Sequence, residues 1–163
     1  MQRKNRETET AVTQTCCTIE KGTPGDIETI ARFQVAMAAE TEDYALDPET
    51  VDKGVRRMFA EPGRGFYLLA KNAGETVGCL LVLEEWSDWR NTGVWWIHSL
   101  YVVPEHRRRG VFRRLMGEVE RLAKEAGAAG IRLYVERRNN AAKAVYSALG
   151  MTGEHYELYE KMF

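Results

Sequence analysis

An arginine-rich turn with a glycine stands at residues 103–113, between an apolar segment and an amphipathic one. The apolar residues that follow recur at helical spacing, so a helix is predicted over 110–126. A helix start offers free backbone N–H groups to anions, Gly110 lets a phosphate approach the backbone, and arginines add charge and donors. The turn is therefore predicted to bind a diphosphate. A solvated basic run and a nucleic-acid patch are the alternatives that the arginines alone allow.

Three further side chains are of types suited to proton transfer or ligand contact. His98 lies in a predicted strand, Tyr146 lies in a short predicted helix, and Asn139 stands at the start of that helix. An imidazole gains or loses a proton near neutral pH, whereas a phenol stays protonated and can donate. Each residue also has a structural interpretation: a strand histidine satisfied by a neighbour, a core tyrosine and a helix N-cap.

The elements that must position these residues are predicted from periodicity and turn residues. The order of the predicted strands and helices, given at the end of this paragraph, predicts an α/β fold with a mixed, mostly antiparallel central sheet flanked by helices on both faces. One domain is expected over 15–163, after a loose polar tail at 1–14. In chain order the prediction is a strand at 15–21, two helices that begin at Thr23 and Asp47, strands at 66–71, 76–85 and 94–103, a helix at 110–126, a strand at 131–136, a helix at 139–149 and a last strand at 154–163.

Composition excludes several classes of protein. The chain has 163 residues and a net charge of −1, so bulk electrostatics do not favour nucleic acid as a partner. No stretch is long and apolar enough to span a bilayer, and the polar start does not resemble a signal peptide. Three cysteines, two of them adjacent, fit neither a disulfide framework nor a zinc site. We therefore expect a cytoplasmic protein with reduced thiols, no metal and no membrane partner.

Two motifs in this order resemble those of one enzyme superfamily. Arg107-x-x-Gly110-x-Phe112 is similar to the Arg/Gln-x-x-Gly-x-Gly/Ala signature of the GNAT acyltransferases, with Phe112 in place of the small last residue. Downstream, Asn139-x-x-Ala142-x-x-Val145-Tyr146-x-x-x-Gly150-Met151 resembles a second element of the same superfamily. The resemblance implies the GNAT fold and an N-acetyltransferase that uses acetyl-CoA as co-substrate. It covers nearly the whole chain from Thr18.

The resemblance also implies where the coenzyme lies. Its pantetheine arm is expected beside the fourth strand, where it accepts backbone hydrogen bonds as an added strand would. Asn139 is expected to contact the coenzyme where the fourth and fifth strands splay. The strand contacts are then Leu100, Tyr101 and Val102, and the pyrophosphate contacts are Arg107, Arg108, Arg109, Gly110, Val111, Phe112 and Arg113.

The implied reaction is the attack of a neutral amine on a thioester. An alkylamine has a pKa near ~10.4, so making it neutral at pH 7 costs about 4–5 kcal/mol, which a base or a desolvating pocket must supply. His98 is the favoured base, at a position where polyamine acetyltransferases carry a glutamate, and Glu84 and Glu85 are its rivals. Tyr146 matches the family's usual acid. A backbone N–H of Leu100 or Tyr101 would stabilise the developing oxyanion.

The acceptor is expected to be a small cationic amine. Glu40 and Glu42 end the first helix, where carboxylates would attract a cation, although a solvated acidic loop is the alternative. Trp86, Asp88 and Trp89 would add cation–π contacts and charge, or else they cover the rim of the sheet. Their placement resembles the substrate loop of diamine and polyamine acetyltransferases.

Partners and competing functions follow from the same residues. The last predicted strand would pair with that of a second copy, which predicts a homodimer. A non-catalytic module that senses acyl-CoA is one alternative to a small-molecule enzyme, and an acetyltransferase that acts on proteins is another. The acceptor amine leaves too little trace in the sequence to separate these three.

Overall fold

The computed structural model describes residues 17–163 and divides the chain into two compact units. The first unit ends at Arg132, and the second comprises Leu133–Phe163. The predicted tail at 1–14 lies outside the described residues, as do Thr15 and Cys16 at the start of the first predicted strand.

A five-stranded sheet organises the first unit, with the strands in the order β1-β2-β3-β4-β5. The first three pairings are antiparallel. This order confirms the predicted succession of elements as far as the last helix, in a mixed α/β fold. The elements are β1 (Thr18–Lys21), α1 (Ile27–Thr41), α2 (Pro48–Ala60), β2 (Gly65–Asn72), β3 (Glu75–Ser87), β4 (Thr92–Val102), α3 (Val111–Glu125), β5 (Ile131–Leu133) and α4 (Asn140–Ala148).

Side-chain caps set the helix starts, as the sequence predicts. Thr23 donates from both its backbone N and its hydroxyl to the Asp26 carboxylate, at 2.9 and 2.8 Å. The Asp47 carboxylate accepts from the backbone N of Thr50 at 3.0 Å. Such bonds satisfy amides that have no partner one turn earlier, and each contributes about 1 kcal/mol.

The core lies on both faces of the sheet. Ile30 and Phe33 of α1 pack with Tyr67, Leu69 and Cys79, which point to one face of β2 and β3. The helix α3 covers the opposite face with its fully buried side chains Leu115, Met116 and Val119. A Cβ on Gly78, the neighbour of Cys79, would lie 3.4 Å from Val111 of α3, which places α3 on the face away from Cys79.

The cysteines within the described range are buried and free. Cys17 and Cys79 are almost wholly shielded from solvent, and neither forms a disulfide. Burial raises the pKa of the Cys79 thiol to about 12, so it stays protonated at neutral pH. Both residues behave as small core hydrophobes, in agreement with the prediction of reduced thiols.

The two tryptophans of β4 point to opposite faces, as their adjacency predicts. Trp95 is buried and its ring meets that of Phe66 edge-on, with centroids 5.4 Å apart. Trp96 is half-buried on the other face, where its indole Nε1 donates to Glu85 at 2.9 Å. One tryptophan is therefore a core residue, and the other belongs to the face that also carries His98.

The predicted last strand at 154–163 is wrong. Residues 151–163 form neither helix nor strand, and the side chains of Tyr156, Leu158, Tyr159, Met162 and Phe163 are exposed. An alternating pattern becomes a strand only where a neighbouring edge supplies backbone hydrogen bonds, and the pattern itself carries no information about that edge. The predicted loop at 87–93 is also shorter than expected, because β3 continues to Ser87 and β4 begins at Thr92.

None of the helices within residues 17–163 combines the length and the apolar character that a membrane span requires.

Candidate functional site

The turn between β4 and α3 reverses the chain with two residues in the left-handed region. After a 3₁₀ turn at Pro104–His106, Arg108 has φ +60° and Gly110 has φ +81°. Glycine adopts this conformation without a steric penalty, whereas a non-glycine residue such as Arg108 stores strain of about 1 kcal/mol or more. Within the described part of the chain, and apart from Gly110 itself and its neighbours along the chain, no heavy atom lies within 4 Å of the place where a Cβ on Gly110 would stand. The turn therefore leaves room for a bulky group against its backbone.

The start of α3 has the properties of an anion site. Its N-cap is Gly110, which carries no side chain that could bond the first amides, and Arg114 N donates to Gly110 O at 3.1 Å. Arg108, Arg109 and Arg113 surround this helix start and are exposed. The positive end of the helix dipole and these guanidinium groups favour a negatively charged ligand. The predicted diphosphate site thus has the expected backbone geometry and charge.

Arg107 differs from its neighbours because its guanidinium is already engaged. Its Nε donates to the Val102 carbonyl at 2.8 Å, its Nη2 donates to Glu40 Oε2 at 2.7 Å, and its Nη1 donates to the other oxygen of Glu40. The guanidinium also lies over the Tyr101 ring, 5.5 Å from its centroid. The hydrogen bonds between Arg107 and Glu40 lower the pKa of the Glu40 carboxyl and raise the pKa of the Arg107 guanidinium.

This pairing joins two residues that the sequence assigns to different ligands. Arg107 is predicted to bind the coenzyme and Glu40 the acceptor, yet in the structure each is the other's partner. They stand 67 positions apart in the chain, so periodicity and local spacing contain no sign of the contact. Glu42 lies beyond the end of α1 and is exposed.

A β-bulge interrupts β4 just before the turn. Tyr101 pairs with Cys79 and His98 pairs with Leu81, so β4 holds one more residue between these pairs than β3 does. The bulge puts Ser99 at φ +52°, and within the described sheet the β3–β4 register gives neither Ser99 nor Leu100 a partner. A bulge leaves backbone groups outside the ladder. The site that the sequence assigns to an extended ligand, at Leu100–Val102, therefore lies at a break in the strand pairing.

Tyr101 and Val102 lie on the turn side of the bulge. The Tyr101 ring is buried against Phe33 of α1, with centroids 5.2 Å apart. Tyr101 is thus a core side chain, and only its backbone is suited to the predicted ligand contact. Val102 pairs with Gly78, and its carbonyl is the acceptor for Arg107.

His98 lies on the other side of the bulge and is half-buried. Burial lowers its pKa below the ordinary 6.5, so the imidazole is mostly neutral at pH 7. Its ring lies 6.2 Å from that of Trp96, centroid to centroid. A neutral imidazole can accept a proton, which is the state that a general base requires.

The two rival carboxylates have different surroundings. Glu85 shares the face of His98, where it bonds Trp96 Nε1 and pairs with Arg132 at 2.8 Å. The Arg132 guanidinium lies 5.6 Å from the centre of the Trp96 ring. Glu84 pairs with Trp95 and points to the opposite face. Of the three candidates, Glu85 already has a cationic partner and Glu84 lies on the face away from His98.

The predicted aromatic acceptor residues lie at the tip of the β3–β4 hairpin. Trp86 is 63% exposed, Trp89 is 86% exposed, and the Asp88 carboxylate accepts from the backbone N of Trp89 at 2.9 Å. Trp86 pairs with Gly93, five residues before His98 on β4. At about 3.4 Å per residue, this separation is roughly 17 Å. The structure therefore does not bring these side chains next to His98 or the turn.

The second unit contains the remaining candidates. Asn139 caps α4, and its Oδ1 accepts from the backbone N of Ala142 at 3.0 Å, which confirms the structural interpretation of this residue. Tyr146 is half-buried on α4, and burial raises the pKa of its phenol. The hydroxyl therefore keeps its proton at neutral pH.

The turn between β4 and α3 is the part of the structure that suits the predicted co-substrate, acetyl-CoA. Arg108 and Gly110 adopt left-handed backbone conformations, α3 begins directly after them, and the exposed Arg108, Arg109 and Arg113 supply positive charge. Among residues 17–163, no group of three or more His, Cys, Asp or Glu side chains is arranged to hold a metal ion.

Similarity to known proteins agrees with this geometry. The model of the acetyltransferase (GNAT) family matches residues 31–151. An uncharacterized N-acetyltransferase of Archaeoglobus fulgidus is 27% identical over 131 residues, which are 80% of this chain and 89% of that protein.

Solved structures share the fold. A possible acetyltransferase from Clostridium difficile is 35% identical, with a TM-score of 0.84 over 90% of this chain and 97% of that one. A predicted acetyltransferase from Clostridium acetobutylicum, solved with acetyl-CoA, is 14% identical, with a TM-score of 0.74 over 90% of this chain and 96% of that one. The extent of the family match and the 35% identity show that the chain belongs to the acetyltransferase (GNAT) family and is an N-acetyltransferase with acetyl-CoA as donor.

Proposed function

We propose that this enzyme transfers the acetyl group of acetyl-CoA directly to the primary amine of a small cationic molecule, with both substrates bound at once. The observation that carries the proposal is the turn after β4, where a left-handed Gly110 opens α3 among exposed arginines. This turn follows a strand whose bulge leaves backbone groups outside the ladder. An extended thioester that ends in a diphosphate suits both features.

The diphosphate would be held by the turn. Backbone amides at the start of α3 and the side chains of Arg108, Arg109 and Arg113 are the donors. An anion at a helix N-terminus gains about 0.3–1 kcal/mol from the dipole, and hydrogen bonds to a charged group contribute about 1.5–3 kcal/mol each. Leu100 and Val102 would offer backbone groups to the amides of the pantetheine arm. Asn139 would add its remaining amide N–H₂, because its oxygen caps α4.

His98 and Tyr146 would move the protons. A neutral His98 accepts the proton that the acceptor ammonium must lose before the amine attacks the thioester, directly or through water, and its lowered pKa keeps it neutral below pH 7. The backbone N–H of Leu100 would stabilise the negative charge that develops on the acetyl oxygen. Tyr146 would protonate the sulfur that leaves, since burial keeps its phenol in the acid form.

A cationic acceptor is supported by the exposed tryptophans. Trp86 and Trp89 at the hairpin tip flank Asp88, and aromatic faces with a nearby carboxylate attract alkylammonium groups. Since the tip lies roughly 17 Å along β4 from His98, these side chains would bind the far end of an extended cation and not its reacting amine. Glu42 is exposed and adds negative charge. Glu40 contributes less than the sequence suggests, because Arg107 neutralises it.

The test is a screen for thiol release from acetyl-CoA. Diamines, polyamines, amino acids, aminoglycosides and peptides with a free N-terminus serve as acceptors, and each positive acceptor is checked by mass spectrometry for one added acetyl group. Turnover is expected with small cationic amines and not with peptides. Turnover with peptides alone would indicate a protein N-acetyltransferase. Tight acetyl-CoA binding without turnover on any acceptor would indicate a sensor.

The acid has its own test. Tyr146→Phe removes the hydroxyl and keeps the ring, so we expect kcat to fall about 100-fold, within the usual range for a general acid. The affinity for coenzyme A, measured by calorimetry, should stay within about twofold of wild type. An unchanged kcat would exclude Tyr146 as the acid.

A homodimer is part of this proposal. Tyr156, Leu158, Tyr159, Met162 and Phe163 are exposed in one short segment, and clustered apolar side chains of this kind favour association. Light scattering at working concentrations should give twice the mass of one chain. A variant with Tyr159→Glu and Phe163→Glu should give the monomer mass, and a monomeric wild type would exclude the dimer.

A further inference from the structure

We propose that Arg107 is a positioning residue for the diphosphate turn and not a ligand of the coenzyme. Together with Glu40 and the Val102 carbonyl it forms a brace that fixes the turn before any ligand binds. The inference rests on the proposed function in one respect, because its test measures the affinity for coenzyme A.

The first argument is the occupancy of the guanidinium. All three of its nitrogens donate hydrogen bonds to the protein, one to Val102 and two to Glu40. A two-pronged bond between arginine and a carboxylate is among the strongest polar contacts in proteins. Three of its five N–H groups are engaged in this way, and turning the guanidinium toward a phosphate would break this pair and move it off the face of Tyr101.

The second argument is the distribution of charge around α3. Glu40 balances the charge of Arg107, so the pair carries almost no net charge that could attract an approaching phosphate. Arg108, Arg109 and Arg113 are exposed, and their positive charge is available to a phosphate. The arginine run therefore divides into one structural member and several that can bind a ligand.

The third argument is what the brace joins. Val102 ends β4, and Arg107 immediately precedes the strained Arg108, so the bond between them closes the loop that leads into the left-handed region. A strained backbone persists only where its surroundings fix it. Glu40 lies in the last turn of α1, where an arginine also complements the negative end of the helix dipole. The brace thus anchors the turn to a helix that packs on the core.

The pair is half-exposed, with 37% of the Arg107 side chain and 43% of the Glu40 side chain accessible. Ion pairs with this exposure contribute little to overall stability. Loss of the brace should therefore change the preorganisation of the turn far more than the folding of the domain.

The experiment is a double-mutant cycle read by calorimetric titration with coenzyme A. Glu40→Gln, Arg107→Gln and the double variant are compared with wild type, and thermal unfolding checks that each variant folds. We expect each single variant to bind coenzyme A about fivefold more weakly, which corresponds to a loss of about 1 kcal/mol of binding free energy. The double variant should be no weaker than either single variant, because both remove the same brace.

Glu40→Gln gives the sharpest distinction. If Arg107 were a phosphate ligand held back by Glu40, removal of the Glu40 charge would free the guanidinium, and coenzyme A would bind more tightly. Tighter or unchanged binding by Glu40→Gln would therefore overturn the proposal, as would additive losses in the double variant. Arg107→Lys keeps the positive charge but cannot form the two-pronged bond to Glu40, so it should bind coenzyme A as weakly as Arg107→Gln does. Binding equal to that of wild type would also overturn the proposal.

A matched control separates this inference from the function on which it rests. Glu28→Gln removes an exposed carboxylate at the opposite end of α1 that has no part in the brace, and it should bind coenzyme A as wild type does. If wild type itself fails to bind coenzyme A, the proposed function fails. If wild type binds and the brace variants match it, only the positioning role of Arg107 fails.

Discussion

The two ends of β4 carry loops of opposite character. At its far end, contacts from distant parts of the chain hold the turn: Arg107 bonds Glu40 on α1 and the Val102 carbonyl. At the N-terminal end of β4, the hairpin tip is held by local contacts. Arg90 N donates to Ser87 O at 3.1 Å, and Trp89 N donates to the Asp88 carboxylate. One loop is held by contacts with a distant helix, and the other presents exposed aromatic rings.

We infer from this difference that the C-terminal end of β4 serves coenzyme binding and its N-terminal end serves acceptor binding. A coenzyme is the same in every turnover, so a preformed turn lowers the entropic cost of binding it. An acceptor site gains from exposed rings that adjust to the amine. If this division holds, variants at the turn should change the affinity for coenzyme A, and variants at the tip should change only the KM for the acceptor.

His98, between the two ends, is expected to give the largest effect. His98→Ala should lower kcat about 100-fold at pH 7, with little change in either affinity. Since burial lowers its pKa, wild-type activity should decline only as pH falls below 6.5, when the imidazole gains a proton. The pH–rate profile of the variant should lack this acidic limb. A limb that persists at the same midpoint would identify another base.

Gly110 tests the fixed end through its backbone. Gly110→Val places a β-branched residue at φ +81°, which should cost about 1–3 kcal/mol of strain or shift the turn. We expect coenzyme A affinity to fall about tenfold or more, while the KM for the acceptor changes little. Gly117→Val on the exposed side of α3 is the control, because a Cβ there meets no neighbour. Equal affinities in both variants would show that the turn is not a rigid site.

Arg109 tests the charge at the same end. Arg109→Ala should weaken coenzyme A binding about threefold to tenfold, which matches the loss of one charge-assisted hydrogen bond in a partly solvated site. The remaining affinity should depend less on NaCl concentration than that of wild type, because one screened charge pair is gone. Calorimetric titrations at two salt concentrations measure both quantities. A salt dependence identical to wild type would show that Arg109 makes no contact with phosphate.

Trp89 tests the open end and should give the smallest effect. Trp89→Ala removes a highly exposed ring, and an exposed cation–π contact contributes about 0.5–1 kcal/mol. We expect the acceptor KM to rise about twofold to fivefold, with the same affinity for coenzyme A. A change in coenzyme affinity instead would break the proposed division between the two ends of β4.

Local physics explains what the sequence predicts correctly. Asp47 and Asn139 cap helices because their short polar side chains reach amides three residues ahead, and the Asp26 carboxylate reaches back to the Thr23 amide in the same local way. The turn at Gly110 is equally local, since it depends on glycine, on a preceding strand and on helical periodicity. These features determine the order of the elements and the geometry of the turn that we propose as the diphosphate site.

Features that depend on distant partners were not predictable from one sequence. The bulge at Ser99 arises from the register between β3 and β4, and a serine carries no sign that it will adopt a positive φ. The partner of Arg107 lies on α1, and sequence position, which assigns Arg107 and Glu40 to different ligands, carries no sign that the two side chains pair. The final segment alternates like a strand, but alternation cannot supply the edge that a strand must pair with.

The burial of Cys79 has a consequence for chemical selectivity. This residue is the register partner of Tyr101, on the strand expected to border the thioester. An accessible thiolate there would exchange with the thioester and take the acetyl group in place of the amine. With its pKa raised to about 12 and its sulfur shielded, Cys79 has almost no thiolate at neutral pH. If the thioester lies where we propose, burial of Cys79 would keep this thiol from competing with the acceptor amine.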